Sequence, residues 1–165
     1  MGADTQTLDE AAVASYLTQH LLGFAGPMEV SKFQTGQSNP TFMLKTPTQT
    51  YVLRRKPLGV LLKSAHAVDR EFRVQKALAG TDMPVSKMHL LCEDDSIIGS
   101  MFYIMDMVEG RTIWDGSMPD SNPAERRATY EAMIDTLAAL HNVDVEGAGL
   151  SDFGKPGNYF GRQVE

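Results

Sequence analysis

Only one cysteine, Cys92, occurs in the 165 residues. No internal disulfide can form, and a reducing cytoplasmic compartment is the natural expectation. Long hydrophobic runs are missing too. None approaches the roughly 20 apolar residues that a bilayer-spanning helix requires. The first residues, Met1 to Gln6, offer neither a basic region nor an apolar core of a signal peptide. No membrane partner is therefore expected. Positive charge is scarce: 15 Lys and Arg stand against 21 Asp and Glu, a formal net charge of −6. A nucleic-acid backbone calls for a basic face, so nucleic acid is not an expected partner, and the acidic balance serves solubility. His141 has no second His or Cys at ligand spacing and reads as a packed or helix-capping residue. The ten methionines read as adaptable core packing.

The hydrophobic content of 42% and charged content of 22% are those of a folded globular chain. Thr7 or Asp9 can cap a first helix running through Leu8, Val13, Tyr16, Leu17 and Leu21, stopped by Gly23, Gly26 and Pro27. The period then shortens. Strands are expected at 28–33, 41–45 and 51–54, with turns at 36–40 and 46–50. An apolar and basic loop at 57–63 leads to a helix over 64–79, capped by Ser64, with Ala67, Phe72 and Leu78 on its apolar face. An extended piece at 84–91 and a strand over 100–107 follow, separated by the Asp94-Asp95 turn. A long helix is expected over 123–143, with Ser121 or Asn122 as cap and Pro123 in the first turn. Its apolar face carries Ala124, Tyr130, Met133, Ile134, Leu137 and Leu140. Three strands, a crossing helix and two more strands make a five-stranded antiparallel sheet with a helix against it, an α+β arrangement. The expected organisation is an N-terminal helical segment at 1–27, a sheet-based lobe at 28–110, and a linker with the start of a second lobe at 111–165.

Four segments carry chemistry. Gly36-Gln37-Ser38-Asn39 lies between two strands. Its amides can form a nest over phosphates, or it can be a plain hairpin turn; it is neither a GxGxxG nor a Walker loop. Val52 and Arg54 share one face of their strand. Val52 can pack on a purine ring and Arg54 can pair with phosphate, unless Arg54, Arg55 and Lys56 are simply a solvated basic strand end. Glu71 lies on the following helix, where it can hold the Arg54 cation or join a surface network with its charged neighbours. In Met101 to Gly110 an apolar strand runs into Asp106 and a Glu-Gly turn. There the Asp106 carbonyl and the Val108 amide can bond a base edge, with Met105 guarding the deeper pocket. A short apolar run of this kind can equally be core.

Turn, strand cation, helix Glu and hinge stand in the order that nucleotide recognition requires. On Gly36 to Phe42, Tyr51 to Pro57, Ser64 to Arg73, Phe102 to Arg111, Leu137 to His141 and Gly154 to Gly161, the chain resembles the N-terminal half of the aminoglycoside phosphotransferase-like (phosphotransferase enzyme) family. It is similar in particular to the kinase-like domains fused to certain acyl-CoA dehydrogenases. The resemblance implies a protein-kinase-like small lobe joined to the first helix of a large lobe. It implies ATP or GTP with Mg²⁺, and phosphoryl transfer to a small-molecule hydroxyl, with hydroxyacyl compounds suggested by the dehydrogenase-linked domains. It also implies that the catalytic Asp, its partner Asn and the metal-binding Asp lie beyond Glu165, since no His-Gly-Asp pattern occurs here. Asp144 and Asp152 lack that context. A nucleotide-binding portion that is inactive alone is the resulting expectation. The alternatives are a non-catalytic, pseudokinase-like module that senses nucleotide or docks a partner, and a purely structural α+β domain. Oligomeric state is left open.

Overall fold

The computed structural model describes residues 7–34, 38–59, 66–155, 157–158 and 160–164. Gly36, Gln37, Ser64 and the loop residues 60–63 lie outside the described residues. The chain divides into two compact units, residues 1–76 with 85–112, and residues 77–84 with 113–165.

The first unit is built on a five-stranded antiparallel sheet. Its strands are β1 (Glu29–Lys32), β2 (Thr41–Lys45), β3 (Thr50–Arg55), β4 (Met88–Cys92) and β5 (Phe102–Asp106), in the spatial order β1-β2-β3-β5-β4. Alternation sorts the side chains onto two faces. On one face, Phe42, Leu44, Tyr51, Leu53, Phe102 and Ile104 are buried under helix α1 (Glu10–His20), which contributes Val13 and Leu17. Asp9 starts α1 by accepting from the Ala12 amide at 2.9 Å. This cap satisfies an otherwise unpaired first-turn donor, worth about 1 kcal/mol. The other face receives helix α2 (Val68–Leu78), whose Val68 and Phe72 pack with Met88 and Tyr103.

The sequence pattern placed the start of α2 at residue 64, and the structure corrects it to Val68. His66 has φ of +61°. Such left-handed backbone cannot continue a right-handed helix, so Ala67 precedes the first turn instead of lying on its apolar face. The fifth strand is also shorter than expected and ends at Asp106, leaving Met107 and Val108 as the segment that leaves the sheet.

In the second unit, α3 runs over Pro123–His141. Asn122 accepts from the Glu125 amide, and the Glu125 carboxylate accepts from the Asn122 amide. This reciprocal box, with Pro123 at the first helical position, defines the start. No residue of α3 is buried. Tyr130, Met133, Ile134, Leu137 and Leu140, the expected apolar face, are 43–56% exposed. His141 is exposed at the helix end. A short helix, α4 (Gly161–Val164), follows. Among the described residues no helix is long and apolar enough to cross a membrane.

Candidate nucleotide site

The strand register places the candidate side chains. Arg54 stands opposite Thr41 on β2 and Tyr103 on β5, while Val52 stands opposite Met43 and Met105. With period 2, Val52 and Arg54 therefore emerge on one face. Both line a cavity of about 300 Å³, together with Thr41, Met105, Asp106 and Val108. That volume is at the low end for ligand pockets, enough for a purine base but not for a whole triphosphate. Val52 is buried and supplies an apolar wall, whereas Val108 is 64% exposed at the rim. A larger hollow of about 690 Å³ lies by the β2–β3 turn and shares Asp106 and Met107. The smaller cavity is the better candidate because it alone combines an apolar wall with the Arg54 cation.

The Glu71 carboxylate crosses to the sheet, where Arg54 Nε donates to Oε2 at 2.7 Å. Tyr103 donates its hydroxyl to the same oxygen at 3.0 Å, and the Asn39 side-chain amide donates to Oε1 at 2.9 Å. Arg54 Nη1 also donates to the Thr41 hydroxyl at 3.1 Å. A charge-assisted pair braced by neutral donors on both oxygens has one preferred geometry. A guanidinium carries five N–H groups, so these contacts leave donors for an anion. Burial, and then the negative charge of Glu71, push the Tyr103 phenol above its usual pKa, so that it stays a donor.

Asn39, expected to offer its backbone to phosphate, is buried and turns its side chain to Glu71. Its oxygen meets His66 Nδ1 at 2.7 Å. Because the Asn39 nitrogen faces the carboxylate, its oxygen must accept, and the proton sits on His66 Nδ1. Ser38 is exposed beside it. Sequence reasoning missed Thr41, His66 and Tyr103. The one available signal was the register, since Thr41 and Tyr103 flank Arg54 once the strands are paired.

The reading of Arg54, Arg55 and Lys56 as a solvated strand end is corrected. Arg55 is 1% exposed, on the α1 face. Its Nη2 donates to the Thr7 carbonyl at 3.1 Å, and its guanidinium lies 5.7 Å from the centre of the Phe42 ring. At the hinge, the Asp106 carboxylate is also taken up on the α1 face, by His89 and Gln49. Asp144, in the second unit, accepts from the amides of Glu146 and Gly147 and so closes a local turn. Among the described residues, no group of three or more His, Cys, Asp or Glu could hold a metal ion.

Known proteins resemble this chain in sequence and fold. The chain is 47% identical over 160 residues to acyl-CoA dehydrogenase family member 11 of Rattus norvegicus, covering 94% of this chain and 20% of that protein. It is 45% identical over 163 residues to acyl-CoA dehydrogenase family member 10 of Mus musculus, covering 98% of this chain and 15% of that protein. The chain thus spans a fifth or less of the curated relatives it matches. A crystal structure from Ralstonia eutropha, of a protein provisionally called an aminoglycoside phosphotransferase, superposes with a TM-score of 0.82 at 54% identity, over 96% of this chain and 45% of that one. The five-stranded sheet with its helices is accordingly the kinase-like fold. The sequence model of the phosphotransferase enzyme family matches residues 29–165, and the chain belongs to that family.

Proposed function

We propose that this chain is the nucleotide-binding portion of an ATP- or GTP-dependent phosphotransferase acting on the hydroxyl of a small molecule. The observation that carries the reading is the 2.7 Å Arg54–Glu71 pair at the edge of a cavity walled by Val52 and Met105. In this reading the purine lies on Val52, with the Asp106 carbonyl and the Val108 amide bonding its edge and Met105 behind it. Arg54, oriented by Glu71, holds the phosphates, with the backbone of Ser38 and Asn39 as further donors. Phosphoryl transfer depends on such positioning and on charge neutralisation. Mg²⁺ comes with the nucleotide, and its carboxylate ligands and the catalytic base belong to a large lobe outside residues 1–165. The dehydrogenase names of the relatives suggest a hydroxyacyl acceptor.

The test is a titration of the full-length protein with ATP and GTP, followed by a nucleotide-bound structure. The base is expected against Val52 with its edge at 106–108. A base bound elsewhere overturns the reading. Binding without turnover on any hydroxy acid, in a full-length protein lacking a catalytic Asp, replaces it with a nucleotide-sensing module.

A further inference from the structure

We infer that His89 and Gln49 are positioning residues for the base-recognising hinge, acting through the side chain of Asp106. The inference rests on the proposed role of residues 105–108.

Asp106 ends β5 and points two ways. Its amide donates to the Lys87 carbonyl at 2.9 Å, and the next amide, Met107, donates to the Thr50 carbonyl at 3.3 Å. These bonds hold its backbone at the rim of the cavity, where Asp106 and Val108 are both lining residues. Its side chain follows the alternation of Phe102 and Ile104 and emerges on the opposite, α1 face of the sheet. There one oxygen, Oδ1, meets two nitrogens: Nε2 of His89 from β4 and Nε2 of Gln49 from the β2–β3 turn, each at 2.6 Å. The His89 side chain is only 13% exposed, and its ring lies edge-on to Tyr51 at 5.4 Å between centroids. Tyr51 is the residue paired with Asp106 across the ladder.

The physical consequence follows from the position of Asp106. At the strand end the peptide plane that carries the Asp106 carbonyl is held by one bond, from the Met107 amide to the Thr50 carbonyl at 3.3 Å, so it keeps more freedom than a peptide inside the ladder. A carboxylate gripped from two other elements removes that freedom on the face away from the ligand. The carbonyl of residue 106 is then presented in one orientation before any base arrives. Recognition of a base edge is sensitive to such preorganisation, because ordering the hinge on binding subtracts from affinity.

The experiment uses the full-length protein, with ATP and GTP as probes. Dissociation constants, steady-state constants and thermal midpoints are measured for wild type, His89→Leu, His89→Gln and Gln49→Ala. His89→Leu is expected to weaken nucleotide binding about tenfold, the size of one charge-assisted bond, and to leave the acceptor KM and saturated kcat within about twofold. His89→Gln is expected to restore binding, since its amide nitrogen reaches close to where Nε2 stood. Gln49→Ala, at an exposed turn that tolerates truncation, is expected to move binding in the same direction by a smaller factor, and it decides the matter if His89→Leu does not fold. Unchanged nucleotide affinity in a folded His89→Leu and in Gln49→Ala overturns the inference while leaving the site reading intact. A fall in kcat and in both affinities that tracks the thermal midpoint, with no rescue by His89→Gln, also overturns it in favour of a purely structural pair. Absence of nucleotide binding in wild type removes the site reading itself, and the inference with it.

Discussion

Arg54 lines the cavity and pairs with Glu71, while Arg55, the next residue of β3, is 1% exposed beneath α1, donating to the Thr7 carbonyl and resting over Phe42. A one-residue step along a strand reverses the face. Two adjacent guanidinium groups are thereby given to different tasks. Burial also lowers the pKa of Arg55 from the ordinary arginine value, because removal from water disfavours the charged form.

Arg54→Ala in the full-length protein is expected to lose about 2–3 kcal/mol of nucleotide binding or transition-state stabilisation, the usual cost of one charged contact to phosphate. Its thermal midpoint should change little by comparison, since Arg54 is partly exposed. Arg55→Ala is not a neutral control. It should lower stability by about 2–4 kcal/mol through lost packing and orphaned carbonyl acceptors. Denaturant titration and nucleotide titration of both variants check the split. Equal losses of affinity at matched stability would show that the faces are assigned wrongly.

Glu71→Gln keeps the size of the side chain and removes its charge. The amide must turn a donor toward Arg54, Tyr103 or Asn39, all of which are donors in the present arrangement. The expected result is a drop in kcat/KM of about 2–3 kcal/mol in transition-state terms with the fold retained. Circular dichroism and steady-state kinetics test it. Full activity would mean that Arg54 needs no partner.

Tyr103→Phe removes one of two donors on Glu71 Oε2 and leaves Arg54 Nε in place. About 1 kcal/mol of stability should be lost. A double-mutant cycle with Glu71→Gln is expected to be non-additive, because the two side chains share one bond. Strict additivity would contradict the network.

High pH should destabilise the fold through its tyrosines. Burial first, then the Cys92 thiol and the Asp94 charge, push Tyr16 from 10.0 to about 12. Tyr51 and Tyr103 move in the same direction, mainly by burial. A phenol whose pKa is higher in the folded state holds its proton there after the unfolded chain has lost it. Its contribution is complete below pH 10 and is lost as the pH climbs through the folded value. Tyrosinate absorbance should therefore rise late, together with loss of ellipticity. Early, reversible titration of all phenols in a folded chain would refute this.

Residues 1–165 alone should transfer no phosphoryl group from Mg²⁺-ATP to a panel of small hydroxy acids. Asp144 already closes a turn with Glu146 and Gly147. In-line transfer also needs a base and a metal-holding carboxylate facing the phosphates. Turnover that vanishes in Asp144→Asn or Asp152→Asn would place the catalytic groups within these residues.

The amino-acid sequence by itself determined what depends on near neighbours. Alternation and turn signals located β1, β2, β3 and β5 and put Val52 and Arg54 on one face, whereas the fourth strand, expected as an extended piece at 84–91, lies at Met88–Cys92. Thr7 or Asp9 and Ser121 or Asn122 marked two helix starts, of which Asp9 and Asn122 are the caps, and the 17-residue separation of Arg54 and Glu71 was compatible with a pair. These are local rules, set by backbone periodicity and by side chains bonding amides a few residues away. Only the tertiary structure decided the rest. Tyr103 and Asn39 each stand 32 residues from Glu71, and Gln49 stands 57 from Asp106. No local pattern links such positions, because a hydrogen bond made across a sheet depends on strand order and register. The burial of Arg55 has the same origin: alternation named its face, but only the packing of α1 on that face took the guanidinium out of water. The start of α2 was misjudged for a related reason. His66 leaves the helical region while its ring bonds Asn39, a long-range contact that helix propensity does not contain.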